Sequence, residues 1–249
     1  MSRWWCYVVV VASAIVGCST PQPRAAEQIM SAPPPKRPGW VERLQLSEHK
    51  AQQVTILATN VREEFAVYNI SRLKLLDEVL AEIKNGVLER AKLAPLAEQT
   101  IHDFEQVLPV LLDNLNKLHA LLSPEERQRL LDLLGGKEND DEAERRAERQ
   151  DRIAQVLDLN SAQKAQLYPS WLGIWLGHLG LMNGLQRDVK DARKQFASEV
   201  FDARELSLIK NLRAMDLMEI CYDALTTTLP ILTAAQRTSL AAYLDRRVR

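Results

Sequence analysis

From Trp40 onward, apolar residues recur three and four positions apart, and no window alternates with period two over a useful length. That spacing puts one apolar stripe on each helix and predicts an all-α chain. A clear case runs through Ile101, Phe104, Leu108, Leu111, Leu112, Leu115, Leu118 and Leu122, with acids and amides between them. Pro109 interrupts this pattern. It lacks an amide donor and crowds the preceding turn, so a kink or a split is expected there. Leu, Ala, Glu, Lys, Arg and Gln dominate the rest, and glycine is scarce, which favours helix by intrinsic propensity as well.

The helical pattern repeats. Leu44-Gln45-Leu46-Ser47 resembles Leu157-Asp158-Leu159-Asn160. Leu122-Ser123-Pro124-Glu125-Glu126-Arg127 resembles Leu232-Thr233-Ala234-Ala235-Gln236-Arg237. The step from Leu44 to Leu157 nearly equals the step from Leu122 to Leu232. Two landmarks with nearly the same offset predict a duplication, with a small length change inside the second copy. The expected units are residues 40–135 and 153–249. Between them, the segment 136–152 follows Gly135 and is crowded with charge, as a solvated helix or flexible linker would be. Three landmarks also read as capping boxes: Ser123 with Glu126, Asn160 with Gln163, and Thr233 with Gln236. In each, the first side chain accepts from an amide of the opening turn and the second reaches back to the cap's own amide. Pro124 falls just inside its helix, where a missing N–H costs nothing.

Leu232-Thr233-Ala234-Ala235-Gln236 is similar to the LTxxQ signature of the Spy/CpxP family of periplasmic stress proteins. In that family one copy stands near the start of an all-helical unit and a second near its end. Leu159-Asn160-Ser161-Ala162-Gln163 takes the early place in the second unit. In the first, Leu46-Ser47-Glu48-His49-Lys50 and Leu122-Ser123-Pro124-Glu125-Glu126 fill the two places. Only the last copy fits fully: Lys50 and Glu126 replace Gln, and Asn160 replaces Thr. The resemblance implies helical-hairpin units that pair into a curved cradle and act as ATP-independent chaperones. Two units in one chain would form a pseudo-dimer, with unfolded or envelope proteins as partners. An alternative within the same class is a structural or signalling accessory that docks on one envelope partner.

The amino terminus adds a location. Arg3 precedes the uncharged run Tyr7–Val16, which is too short for an ordinary membrane span and fits a signal peptide over residues 1–17. Ile15-Val16-Gly17-Cys18 is similar to the lipobox of bacterial lipoproteins, in which the cysteine is acylated and becomes the first mature residue. Ser19, where inner-membrane retention would want Asp, favours the outer membrane. Residues 18–39 carry Pro21, Pro23, Pro33, Pro34, Pro35 and Pro38 and few large apolar groups, and so read as an extended tether.

Charge and chemistry exclude more than they assign. The chain has 32 Lys and Arg against 33 Asp and Glu, and loss of Arg3 makes the mature form slightly more negative. No basic face stands out, so nucleic acid is not an expected partner. Cys6 leaves with the signal and Cys18 takes lipid, leaving Cys221 with no cysteine to bridge. The histidines (His49, His102, His119, His178) form no i, i+3 or i+4 pairs, and no phosphate loop, nucleophile elbow or metal-ligand cluster is present. No cofactor, metal site or catalytic residue is expected, and the protein is not read as an enzyme.

One segment is unusual. Leu167–Leu185 carries no Asp, Glu, Lys or Arg, whereas its counterpart in the first unit is charged along its length. Gly173, Gly177, Gly180 and Gly184 share one helical face, and Trp171, Trp175, His178 and Met182 share a neighbouring one. Three readings stand: a central helix buried between the units, its glycines allowing close approach; an adaptable surface for clients or lipid formed by Trp171, Trp175, His178 and Met182; or a membrane span, for which the length is borderline. For the anchor, Cys18→Ser is expected to leave the chain unprocessed or released in soluble form. Mass spectrometry of the wild-type membrane fraction showing Cys18 without lipid would contradict the assignment.

Overall fold

The computed structural model describes residues 37–135, 151–210 and 214–248, and among these it is all-helical. The first half contains α1 (Gly39–Arg43), α2 (Glu48–Glu64), α3 (Ala66–Asn85), α4 (Arg90–Leu121) and α5 (Pro124–Gly135). The second opens with helical residues 151–156, followed by α6 (Ser161–Gly177), α7 (Leu179–Ala197) and a 3-10 turn at Ala203–Glu205. Then come α8 (Ser207–Lys210), α9 (Ala214–Thr228), a 3-10 turn at Leu229–Ile231, and α10 (Ala234–Val248). The expected signal segment with Cys18, most of the expected tether, and residues 136–150 of the expected linker lie outside the described residues.

The helix starts are local chemistry. All three capping boxes form in full. Ser123 N–H donates to Glu126 Oε2 at 2.8 Å while Glu126 N–H donates to Ser123 Oγ at 3.3 Å. The corresponding distances are 3.1 and 2.9 Å for Asn160 with Gln163, and 2.9 and 3.3 Å for Thr233 with Gln236. Each box satisfies amides that a helix start otherwise leaves without partners. Ser47, opposite Lys50 instead of Gln or Glu, makes no such side-chain cap.

The two halves bend at matching places. The first long helix pauses for one residue at Phe65 (φ −75°, ψ 0°) and its counterpart at His178 (φ −108°, ψ 14°). Phe65 and His178 are separated by the same step as Leu44 and Leu157. The helical ladder runs through Phe65, whose N–H reaches Val61 O at 3.0 Å and whose carbonyl accepts Asn69 N–H at 2.9 Å. Buried Phe65 is pinned edge-on by Tyr68 and Phe104, with ring centroids 5.7 and 6.4 Å away. Just before the second helix of each half, Gln45 (φ 54°) and Asp158 (φ 49°) take the left-handed conformation, and they too share that step. Pro109 does not split its helix: α4 runs unbroken through Pro95 and Pro109, for about 48 Å at 1.5 Å per residue.

The core lies in two large clusters that each draw on both halves. One joins Leu157, Leu159, Leu167, Leu229, Leu232 and Leu240 of the second half to Leu80 and Ile83 of α3. The other joins Val41, Leu44, Val54, Leu118, Leu122 and Leu130 of the first half to Phe196 of α7. Accordingly α10 packs on α3, and α5 packs on α7. Ile83 and Phe196, each buried in the cluster of the other half, again stand as far apart in sequence as Leu44 and Leu157.

Glycine is required at Gly86, which ends α3 with φ +87° and donates to Glu82 O at 2.9 Å. A Cβ there would also lie 2.8 Å from Cζ of Arg237 on α10. Gln45, by contrast, holds a left-handed backbone without being glycine, at a cost of about 1 kcal/mol. Gln45→Gly is therefore expected to be neutral or stabilising by up to about 1 kcal/mol in thermal melting, whereas Gly86→Ala should lower the melting temperature.

Candidate functional site

The early and late motifs of each half meet. Gln163 at the start of α6 and Gln236 at the start of α10 exchange amide hydrogen bonds, Nε2 to Oε1, at 2.8 and 3.0 Å. The same two amides reach backbone: Gln163 Nε2 donates to Ile231 O at 2.9 Å and Gln236 Nε2 to Asp158 O at 3.1 Å. Each glutamine thus closes its own capping box with its oxygen and fastens its neighbour with its nitrogen. In the first half the equivalent residues are Lys50 and Glu126, and an ion pair replaces the amide pair, with Lys50 Nζ 2.7 Å from Glu126 Oε2. Burial pushes the Glu126 carboxyl up. The hydrogen bonds from Lys50 and the Ser123 amide, with the Lys50 charge, outweigh it and hold the group below the usual carboxylate value. These residues join helix starts; as a pair of capped joints they are structural.

The uncharged segment spans the middle of the first long helical arm of the second half, across α6, His178 and the start of α7. Its inner side is anchored. Leu167 is fully buried, and half-buried Trp171 packs against the same cluster. The Trp171 indole N–H donates to Thr228 Oγ1 at 2.8 Å, and its ring lies 5.9 Å from that of Tyr168. His178 occupies the pause between α6 and α7, half-buried, with Nε2 3.9 Å from Asp223 Oδ2 of α9. Trp175 and Met182 lie on α6 and α7, and their side chains lie outside the described ones.

The outer side differs from the buried-helix expectation. A Cβ added to Gly173, Gly177, Gly180 or Gly184 would meet no atom within 4 Å, so none of these glycines admits a closely packed neighbour. Pro169, Leu172, Gly173, Leu176, Gly177, Gly180 and Asn183 form one exposed face at helical spacing, with Leu172 42% and Leu176 53% exposed. The segment is core on the Trp171 side and open on the glycine side. Sequence alone could not divide it, because a helix without charges shows no polar face.

The matching face of the first half is also exposed, at Ile56, Asn60, Glu63, Glu64, Val67 and Ile70. It carries carboxylates where the second half carries leucine and glycine. The other expected groups are scattered. His49 and His102 are exposed, and half-buried Cys221 sits on α9. Among the described residues no three His, Cys, Asp or Glu side chains are placed to share a metal ion, and no helix is long and apolar enough to cross a membrane. One constellation does not stand out in the sequence: buried His119 of α4 against buried Arg127 of α5. The recurrence of arginine in both late landmarks, Arg127 and Arg237, is its only signal there.

The fold and this face define an all-helical protein with a neutral apolar surface strip. No protein-family model, curated protein or solved structure gives a significant match to the chain.

The two sides of the segment should respond differently to truncation. Trp171→Ala removes a half-buried indole and its hydrogen bond to Thr228, and is expected to cost about 2–4 kcal/mol. Leu176→Ser, on the open side, should stay within about 0.5 kcal/mol. Melting curves of the two variants check the division directly.

Proposed function

We propose that the protein is a lipid-anchored periplasmic binding protein related to the Spy/CpxP stress proteins, holding unfolded clients without ATP. In this reading two helical-hairpin units in one chain pack as a pseudo-dimer. The observation that carries the functional reading is the exposed strip of Leu172, Leu176 and the open glycines, in a segment without charged side chains. A surface of this kind contacts apolar segments without demanding a fixed shape, because the glycine positions leave room for side chains of varied size. Trp171, Trp175, His178 and Met182 flank it on the same segment. The pseudo-dimer is supported by one constant sequence step that recurs at Leu44/Leu157, Gln45/Asp158, Phe65/His178 and Ile83/Phe196. It is supported further by the crossed packing of α10 on α3 and α5 on α7.

The remaining assignments come with this reading. Cys18 carries the lipid, residues 18–39 space the helical body from the membrane, with the outer membrane favoured, and no catalytic chemistry is involved. The test is an aggregation-protection assay with residues 19–249 and a chemically unfolded client. Protection is expected without nucleotide. Leu172→Asp with Leu176→Asp should weaken it while the melting temperature stays near wild type, since exposed substitutions rarely cost more than about 0.5 kcal/mol. Equal protection by this double variant would remove the strip from the mechanism. No protection by the wild type, with capture of one folded envelope protein instead, would favour the accessory role.

A further inference from the structure

The recurring sequence step pairs Ala58 of α2 with Trp171 of α6. In the second half the Trp171 ring packs on the cluster around Leu167, and its indole N–H donates to Thr228 Oγ1 at 2.8 Å. In the first half both ends of that bond are missing. Ala58 brings no ring. Thr228 stands four residues before the landmark Leu232, and the residue four before Leu122 is Leu118, whose side chain has no acceptor. The gap this leaves between α2 and α4 is lined by Val54, Leu57, Ala58, Val61, Leu115 and Leu118. Trp40 of α1 covers it, and the space that remains is about 10 Å³, room for a single water. Each half thus sets an indole at the equivalent place, one from its own arm and one from the short helix that opens the bundle.

The indole in the first half is the less firmly held. Trp40 Nε1 is buried and meets no hydrogen-bond partner among the described residues. An N–H cut off from water and from any acceptor is unfavourable, so the closed position lacks the bond that secures Trp171. The ring can leave without unfolding its helix. Val41 and Leu44 are 1% and 0% exposed and keep α1 in place, whereas Trp40 is only half-buried. Rotation of its side chain gives the N–H to water and uncovers Val54, Val61 and Leu118, all otherwise buried. The second half shows that an aromatic ring suits this place. Leu118 adds that the ring should carry no donor of its own, which leaves phenyl as the better occupant.

We propose that Trp40 is a displaceable plug over an aromatic-binding site, and that a phenylalanine ring of an unfolded polypeptide takes its place. This rests on the reading of the protein as a holder of unfolded clients, and it gives the first half a contact of a different kind from the open strip of the second. Exchange of one ring for the other keeps the apolar surface of α2 and α4 covered, while the orphan N–H gains water. Folded proteins keep phenylalanine inside, so a phenyl ring on offer marks an unfolded chain.

Indole N–H exchange of the full chain, read by NMR, tests this, with Trp40→Phe and Trp171→Phe assigning the two signals. The Trp40 indole is expected to exchange about fivefold to tenfold faster than that of Trp171, the difference that one net hydrogen bond brings. Toluene, a stand-in for the phenylalanine side chain, should bring the Trp40 indole to the rate of an exposed one and leave Trp171 unchanged. Ala58→Trp, which copies the second half, should expel Trp40 without toluene and abolish the response to it. Ala58→Leu is the second variant should the tryptophan form fail to fold, and it should weaken the toluene response. Equal exchange of the two indoles would overturn the proposal, as would a Trp40 signal that toluene leaves in place, or a toluene response undiminished in both Ala58 variants. Aggregation protection is read separately: its absence in a chain that passes these tests would overturn the client-holding reading and leave the aromatic site standing.

Discussion

The structure depends on one reciprocal constraint: each half lacks a helix face that only the other half supplies. Ile83 of α3 completes the cluster around Leu157 and Leu232, and Phe196 of α7 completes the cluster around Leu44 and Leu122. Burying a large apolar side chain of this kind contributes about 1.5–3 kcal/mol, so each contributed residue carries weight in the bundle. Among the described residues Cys221 stands as a free cysteine, so helix packing holds them together. The arginines at the joints add direction to this packing. Arg127 and Arg237 sit where a helix ends in the opposite half, and a cation there is favoured over most other side chains.

The paired motifs show how one geometric task admits two chemistries. Gln163 and Gln236 are neutral, and each amide offers an acceptor and a donor, so capping box and cross-link are satisfied together at little desolvation cost. Lys50 and Glu126 do the same work with charge. Glu126 closes the box and Lys50 binds it, but Lys50 cannot accept from a backbone amide, and the Ser47 cap is lost. The substitutions are therefore coupled, since either alone would leave a partly buried group without its counterpart.

How much of this is legible in the sequence follows from the range of each interaction. The capping boxes lie within a single helical turn and form as read, and the long amphipathic stripe of α4 is helical along its length, because local chemistry decides both. Pro109 promises more disruption than it brings: a helix held by Leu111, Leu112 and Leu118 on its buried face tolerates the loss of one hydrogen bond. The glycines of α6 and α7 suggest a close packing that the structure does not have, because sequence shows the absence of side chains but not what lies opposite. The pauses at Phe65 and His178 leave no mark in composition, since they depend on rings and neighbours brought in from α4 and α9. Buried His119 looks like any isolated histidine; its meaning lies in Arg127 and Ser198, which only the fold brings to it.

In the proposed pseudo-dimer, two copies of a unit in one chain leave each free to change alone, and the differences fall on positions separated by the sequence steps of the early and late landmarks. Where one half exposes Glu63 and Glu64, the other exposes Leu176 and Gly177, and where one joint buries Leu229, the other buries His119. In a symmetric assembly of separate chains, either change would appear at both equivalent places. Divergence of the halves thus lets one face turn apolar while its counterpart keeps its carboxylates, which two identical subunits cannot do.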